Sequence, residues 1–326
     1  METTESTQRV FKKISSNKEV GILIPLIAII VVTSIINPVF LEPENLVNLL
    51  RSISITLIGA IGMTFVLISG GLDLSVGSIL GLSGMVTGFF MSVVVLPFPI
   101  AIMMGLGAAA LVGYANGFMI TKFGIPPLIV TLGMMNIARG IVNVMSKGRP
   151  YSGFPDAFNN IGQGDFLGIP YSVYIAFAIA AAAYFILKYS VFGRCVMAIG
   201  GNEETARVSG INIKSNKIWT YIFVAVLSGL AGILMAARLS TSQANAGTGW
   251  EMTVISSVVI GGTSMFGGSG SVTGTIIGVA IMEVLTVAMT MLKIDPYWQK
   301  IVVGIIIILA VGIDTYRRSR MSGSRG

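Results

Sequence analysis

Aliphatic side chains follow one another with scarcely a charge from Val20 to Ile36. They do so again over residues 53–69, 78–96, 100–121, 126–145, 171–188, 218–237, 251–265, 272–291 and 298–315. Each run approaches the ~20 residues a helix needs to cross hydrocarbon, except the eighth, which is short. Backbone in hydrocarbon must satisfy its own N–H and C=O groups, so runs of this kind can fold only as helices. The expectation is an all-α polytopic membrane protein with about ten transmembrane helices. One transmembrane domain, 20–315, then lies between a polar tail, 1–19, and a basic tail, 316–326. A soluble domain carries about 25% charged residues; this chain carries 11%, with 54% hydrophobic residues and a mean hydropathy of +0.85. The first run ends in Asn37-Pro38-Val39-Phe40 with no small-residue cleavage site, which reads as an uncleaved span rather than a signal peptide.

Lysine and arginine set the orientation. With ten spans and the N-terminus inside, both tails, Lys122 and the 189–217 loop are cytoplasmic. Those segments, with Lys188 at the loop's edge, hold Arg9, Lys12, Lys13, Lys18, Lys122, Lys188, Arg194, Arg207, Lys214, Lys217, Arg317, Arg318, Arg320 and Arg325, two thirds of the 21 basic residues. The longest outside loop, about 146–170, offers only Lys147 and Arg149. The net charge of +7 is therefore spent on topology, and no nucleic-acid partner is expected. Histidine is absent and Cys195 is the single cysteine, which removes the usual proton relays, metal clusters and internal disulfides.

Two stretches read as Gly-interrupted helices, Ser69-Gly-Gly-Leu-Asp-Leu-Ser-Val-Gly-Ser78 and Gly261-Gly-Thr-Ser-Met-Phe-Gly-Gly-Ser-Gly-Ser271. Their likeness hints at an internal repeat. Either they form a pathway or gate around Gly261 and Gly262, or they are surface turns whose glycines serve close packing. Asp73 reads best as a cap for the helix that follows, assisted by Ser75, with substrate contact as the alternative. Amide and hydroxyl side chains that could meet a polar solute are Asn116, Thr131, Asn136, Asn143, Ser242, Gln243, Asn245 and Thr248, together with the acid Glu251. The 238–250 segment is expected outside, either receiving a delivery protein or forming a solvated turn. Glu283 sits mid-span, where a carboxylate is expensive. It is a pathway residue, a partner for Arg139, or a neutral structural acid.

Between the sixth and seventh runs lies the longest polar island, Gly193 to Ile211. Asn202 is a good N-cap, Glu203 and Glu204 suit the positive end of a helix, and Gly210 suits a left-handed C-cap, which predicts a helix of roughly two turns. Thr205, Ala206 and Ser209 would give it a nearly smooth face able to enter a groove on another protein. The other reading is an ordinary capped helix in a loop.

The island's Gly193-Arg194…Ala198-Ile-Gly-Gly-Asn202…Ala206…Ser209-Gly-Ile211 resembles the coupling loop of ATP-binding-cassette sugar-importer permeases of the ribose/galactose branch. Gly71-Leu-Asp-Leu-Ser-Val-Gly-Ser78, Ala237-Arg-Leu-Ser240…Gln243…Ala246-Gly-Thr-Gly-Trp-Glu251 and Gly261-Gly-Thr-Ser264…Gly267-Gly-Ser-Gly-Ser271…Gly274-Thr275 extend the resemblance, most closely to the ribose type. Pro296-Tyr-Trp-Gln299 is nearer the galactose type. The resemblance covers nearly everything after about residue 35. It implies a bacterial cytoplasmic-membrane permease subunit carrying a monosaccharide, ribose first, delivered by an extracytoplasmic binding protein. It also implies a second permease chain, most simply a second copy, and a cytoplasmic ATPase docked on Gly201, Asn202, Glu203, Thr205, Ala206, Ser209, Gly210 and Ile211. No Gly-x-x-x-x-Gly-Lys-Ser/Thr loop occurs, so ATP and Mg are expected on that ATPase, with no cofactor and no catalysis here. An ion-coupled transporter would want several intramembrane acids or a histidine relay, and a membrane-embedded enzyme would want a visible acid–base or metal site.

Overall fold

The computed structural model describes residues 18–323, with side chains over 23–312 and at 314 and 315. The basic residues of the N-terminal tail and those beyond Thr315 lie outside the described side chains. Thirteen α-helices are described: α1 Lys18–Ile36, α2 Pro43–Ile68, α3 Val76–Ser92, α4 Phe98–Phe123, α5 Pro127–Ser146, α6 Asp156–Gln163, α7 Tyr171–Tyr189, α8 Val191–Gly201, α9 Glu203–Val208, α10 Ile213–Leu239, α11 Trp250–Ile260, α12 Val272–Met291 and α13 Pro296–Gly323. Two-residue strands add little: β1 Tyr151–Ser152 pairs antiparallel with β4 Thr241–Ser242, and β2 Asp165–Phe166 with β3 Ile169–Pro170.

Each of the ten apolar runs holds a helix. Six of these, α2, α4, α5, α7, α10 and α12, are long and apolar enough to cross a membrane by length and composition. The bundle is polytopic, and its centre is made by α2, α3 and α10. Residues 54–68 of α2 are buried throughout. α10 packs along α4, α3 and α2, and its small residues allow close approach, as expected where packing rather than hydrophobic force joins helices. The outer helices keep apolar side chains exposed, among them Val144, Phe185 and Ile308, as a lipid-facing surface requires.

Three features depart from the expectation. The 146–170 loop contains α6, whose Phe158 is fully buried and whose Gly162 lies against the backbone of Ala237 and Arg238. The polar island begins with another helix, α8, capped by Ser190 Oγ accepting from Gly193 N at 3.0 Å. The eighth run yields only the eleven residues of α11. The 241–249 segment before it is packed along the bundle rather than looping away from it. Ser242 lies beside Gly88, Ala246 beside Gly81 and Gly247 beside Gly77, so the segment runs antiparallel down three turns of α3. Gly77, Gly81, Gly84 and Gly88 share one face of α3, and the space that Cβ atoms would fill holds the backbone of Gly247, Ala246 and Gly232 and the side chains of Glu251, Arg139, Ser242 and Phe154. The span is broken, half irregular backbone and half helix.

Candidate functional site: a capped surface helix, a glycine junction and a broken span

The surface helix α9 forms as its sequence directs. Asn202 Oδ1 accepts from Thr205 N at 2.9 Å. At the other end Gly210 has φ of +83°, its N–H reaches Arg207 O at 3.0 Å, and Ile211 N reaches Ala206 O at 3.1 Å. This pair of bonds is a Schellman motif, and it needs the left-handed residue that glycine supplies without penalty. Arg207 pairs with Glu204 at 3.1 Å, and Lys217 of α10 with Glu203 at 2.6 Å. The first pair is surface-exposed and contributes about 1 kcal/mol at most, while Lys217 in the second is partly buried. One expectation is corrected. Ala206 is 3% exposed, packed beneath its own helix by the chain, so it belongs to no outward small-residue face. The outward face holds Thr205, Val208, Ser209 and Gly210, and Val208 is 78% exposed.

At the end of α8, the two Gly-interrupted stretches and the island's Gly-Gly pair meet. Gly268 N donates to Ile68 O at 2.8 Å. A methyl group on Gly200 would collide with Ile68 O and stand 2.6 Å from Gly268 N. One on Gly267 would stand 2.7 Å from Gly200 O and 3.0 Å from the Cα of Gly70. The turn after α2, the turn between α11 and α12, and the end of α8 are thus in backbone contact. Gly261 lies against the carbonyl of Gly274 at the α11–α12 crossing, while Gly262, with φ of +87°, faces open space. In this structure both stretches are turns built for close packing.

Four of the polar candidates gather at the start of α3. Asp73 is fully buried, and its Oδ1 accepts from Ser75 N at 2.8 Å and Ser75 Oγ at 2.5 Å. Asn116 of α4 donates to Ser75 Oγ at 2.9 Å and approaches Asp73 Oδ2 at 3.5 Å. Thr131 Oγ1 bonds Pro127 O at 2.9 Å and approaches Leu72 O, as does the hydroxyl of Tyr221. Asp73 therefore closes the turn that launches α3, and that turn is tied to α4, α5 and α10. The cluster is sealed inside the bundle.

Gln243, Asn245 and Thr248 lie elsewhere, exposed on the broken span, with Glu251 half-buried in the first turn of α11. Beside them α5 exposes Gly133, Asn136, Gly140 and Asn143, at the spacing of one helix face. The carbonyls of Gln243, Asn245 and Gly247 accept turn bonds from Ala246 N, Thr248 N and Trp250 N at 3.1, 3.2 and 3.2 Å. Arg139 of α5 takes the alternate ones. Its Nη1 donates to Ala244 O at 2.9 Å and Ala246 O at 2.7 Å. A cavity of about 190 Å³ lies between the segment, α3 and α10, lined by residues including Gly84, Met235, Ser242 and Asn245.

Arg139 is therefore not the partner of Glu283. Glu283 Oε1 accepts from Thr56 Oγ1 at 2.6 Å, and Thr56 in turn accepts from Trp250 Nε1 at 3.3 Å. Arg238 interacts electrostatically with Glu283 without pairing with it, and its guanidinium donates to Ser52 Oγ at 3.1 Å. Trp250 lies across Gly59, where any side chain would strike the indole. Thr56 is thus the hinge pin between α2, α11 and α12. Thr56→Val is expected to lower stability by about 1–3 kcal/mol, read as the thermal midpoint in detergent, with Thr56→Ser near the parent.

A helical bundle with exposed apolar flanks and six helices long and apolar enough to cross a bilayer defines a polytopic membrane protein. Residues 45–311 match the family model described as branched-chain amino acid transport system / permease component. Over 300 residues the chain is 39% identical to the ribose import permease protein of Haemophilus influenzae, covering 90% of this chain and 92% of that one. It is 36% identical to the L-arabinose ABC transporter permease protein of Azospirillum brasilense over 305 residues, 92% and 88% of the two chains. It is 32% identical to the galactose/methyl galactoside import permease protein of Escherichia coli (strain K12) over 321 residues, 93% and 96%. No solved structure matches. The chain belongs to this family of permease components. It is a multi-pass membrane subunit of an ATP-binding-cassette importer and not itself an enzyme; a separate ATPase hydrolyses ATP and a substrate-binding protein supplies the cargo.

Proposed function

We propose that this permease carries a monosaccharide, ribose first, across a bacterial cytoplasmic membrane. The observation that carries this reading is the similarity to ribose import permeases over nine tenths of the chain. The pathway lies on the broken span, with Gln243 and Asn245 meeting the sugar and Glu251 behind them. Irregular backbone and amide side chains at membrane depth must face protein or water rather than lipid. That condition is met when a second copy of the chain covers the exposed edge of Gln243, Asn245, Thr248, Asn136 and Asn143. The subunit spans the membrane ten times as one domain, with cytoplasmic termini. The ATPase, holding ATP and Mg, docks on Gly201, Asn202, Glu203, Thr205, Ser209, Gly210 and Ile211, with Val208 as its apolar anchor. Ala206 supports that surface from beneath. Asp73, Ser75, Asn116 and Thr131 set the α3 turn, and Glu283 holds the α11–α12 junction.

Uptake of labelled ribose by proteoliposomes carrying the permease, its ATPase and its binding protein tests the reading. ATP-dependent uptake is expected, and uptake driven by an ion gradient without ATP would overturn it. Gln243→Ala and Asn245→Ala are each expected to lower uptake about tenfold, the effect of one lost sugar hydrogen bond. ATPase association should stay at the parent level. Parental uptake in both variants would remove the broken span from the pathway.

A further inference from the structure

We propose that Arg139 is the positioning residue of the broken span, a clamp that holds the 243–249 segment against α3 in the conformation transport requires. The inference rests on the permease reading for what the segment lines; the clamp itself is a contact within this chain.

A backbone that leaves helical geometry inside a membrane protein must find partners for every carbonyl. Here the partners alternate. Turn bonds take the carbonyls of Gln243, Asn245 and Gly247, and one guanidinium nitrogen takes those of Ala244 and Ala246. Arginine suits this task because its charge is permanent and its planar fork is preorganised, so little freedom is lost on binding. The neighbouring residues are cut to fit. A Cβ on Gly81 would stand 2.8 Å from Ala246 O and 3.1 Å from Arg139 Nη1, and one on Gly77 would strike Glu251 and the carbonyl of Gly247. Glu251, in the first turn of α11, interacts electrostatically with the same guanidinium. Arg139 thereby ties α5, the irregular half of the span and the start of its helical half together. A cation in the middle of α5 is costly, and these contacts are what its charge does there.

The test is hydrogen–deuterium exchange on the purified full chain, followed by mass spectrometry of the peptide covering 240–250. No ATPase is present. In Arg139→Met, amide exchange in that peptide is expected to rise about tenfold or more, with α3 and α10 peptides unchanged. Arg139→Lys, which keeps the charge and can still donate, should return part of the protection. In the reconstituted importer, Arg139→Met should lose uptake by a similar factor while ATPase association is retained, and Arg139→Lys should restore part of it. Unchanged exchange over 240–250 overturns the proposal. So does a rise spread equally through α3 and α10, which would make Arg139 a general fold residue. If Arg139→Met does not accumulate, Arg139→Gln decides, since it removes the charge and the reach to both carbonyls while keeping a polar side chain. A rise confined to 240–250 supports the clamp, and parental exchange refutes it. Should the parent fail to take up ribose, the sugar assignment falls while the exchange result still judges the clamp.

Discussion

Gly200→Ala is expected to destabilise the permease severely, whereas Gly201→Ala, one residue along, is expected to be neutral or mildly stabilising. At Gly200 the new methyl would overlap Ile68 O, and the backbone of Gly268 offers nothing flexible to move. Overpacking of this kind costs about 1–3 kcal/mol when side chains can adjust. Here three backbones must separate, and the Gly268 N to Ile68 O bond is lost with them. At Gly201 nothing lies within 4 Å, and alanine is the better helix former by about 1 kcal/mol. Expression and the thermal midpoint in detergent read both outcomes. A Gly200→Ala midpoint equal to that of Gly201→Ala would show that the junction is not a close backbone contact in the membrane.

The second large effect concerns α9. Val208→Arg should fold and insert normally, because Val208 is 78% exposed and touches little of its own chain. It should nevertheless abolish ATPase association, since it puts a long, permanently charged side chain where a small apolar anchor would dock, leaving the charge desolvated and unpaired. Ala206→Arg should fail differently. Its side chain would have to enter the packed space beneath α9, so the helix itself is lost and the thermal midpoint falls. Gly210→Val lies between the two. A β-branched residue at φ of +83° strains the C-cap by about 1–3 kcal/mol, loosening α9 without charging its surface. Pull-down of the ATPase against the midpoint separates the three. If Val208→Arg still recovers stoichiometric ATPase, α9 is not the docking element.

Much of this arrangement was legible in the residues. Asn202, the acidic first turn and Gly210 fixed α9 at both ends, because caps are local chemistry. The apolar runs located the helices for the same reason. What was not legible depended on tertiary contact. Ala206 is small and regularly spaced, so its pattern fits an outward face as well as an inward one. The 241–249 segment carries the glycines and amides of an exposed turn, and only its packing against the glycine face of α3 draws it onto the bundle. Arg139 was visible as a cation in an apolar run, yet its partners are backbone carbonyls about a hundred residues away, which carry no sequence signal. Glu283 sent the same kind of message and was answered by Thr56, a residue with no charge to advertise it.

The glycine junction at the end of α8 constrains how this sequence can drift over evolutionary time. At most packed positions a larger residue can be accommodated by trimming a neighbour, and pairs of changes keep the volume constant. Where Gly200 and Gly268 meet Ile68, the touching atoms are main-chain, so no neighbour has a side chain to surrender. Compensation by substitution is closed off. A lineage could leave this arrangement only by lengthening or shortening one of the three turns, so variation at the junction should take the form of insertions and deletions rather than replacements.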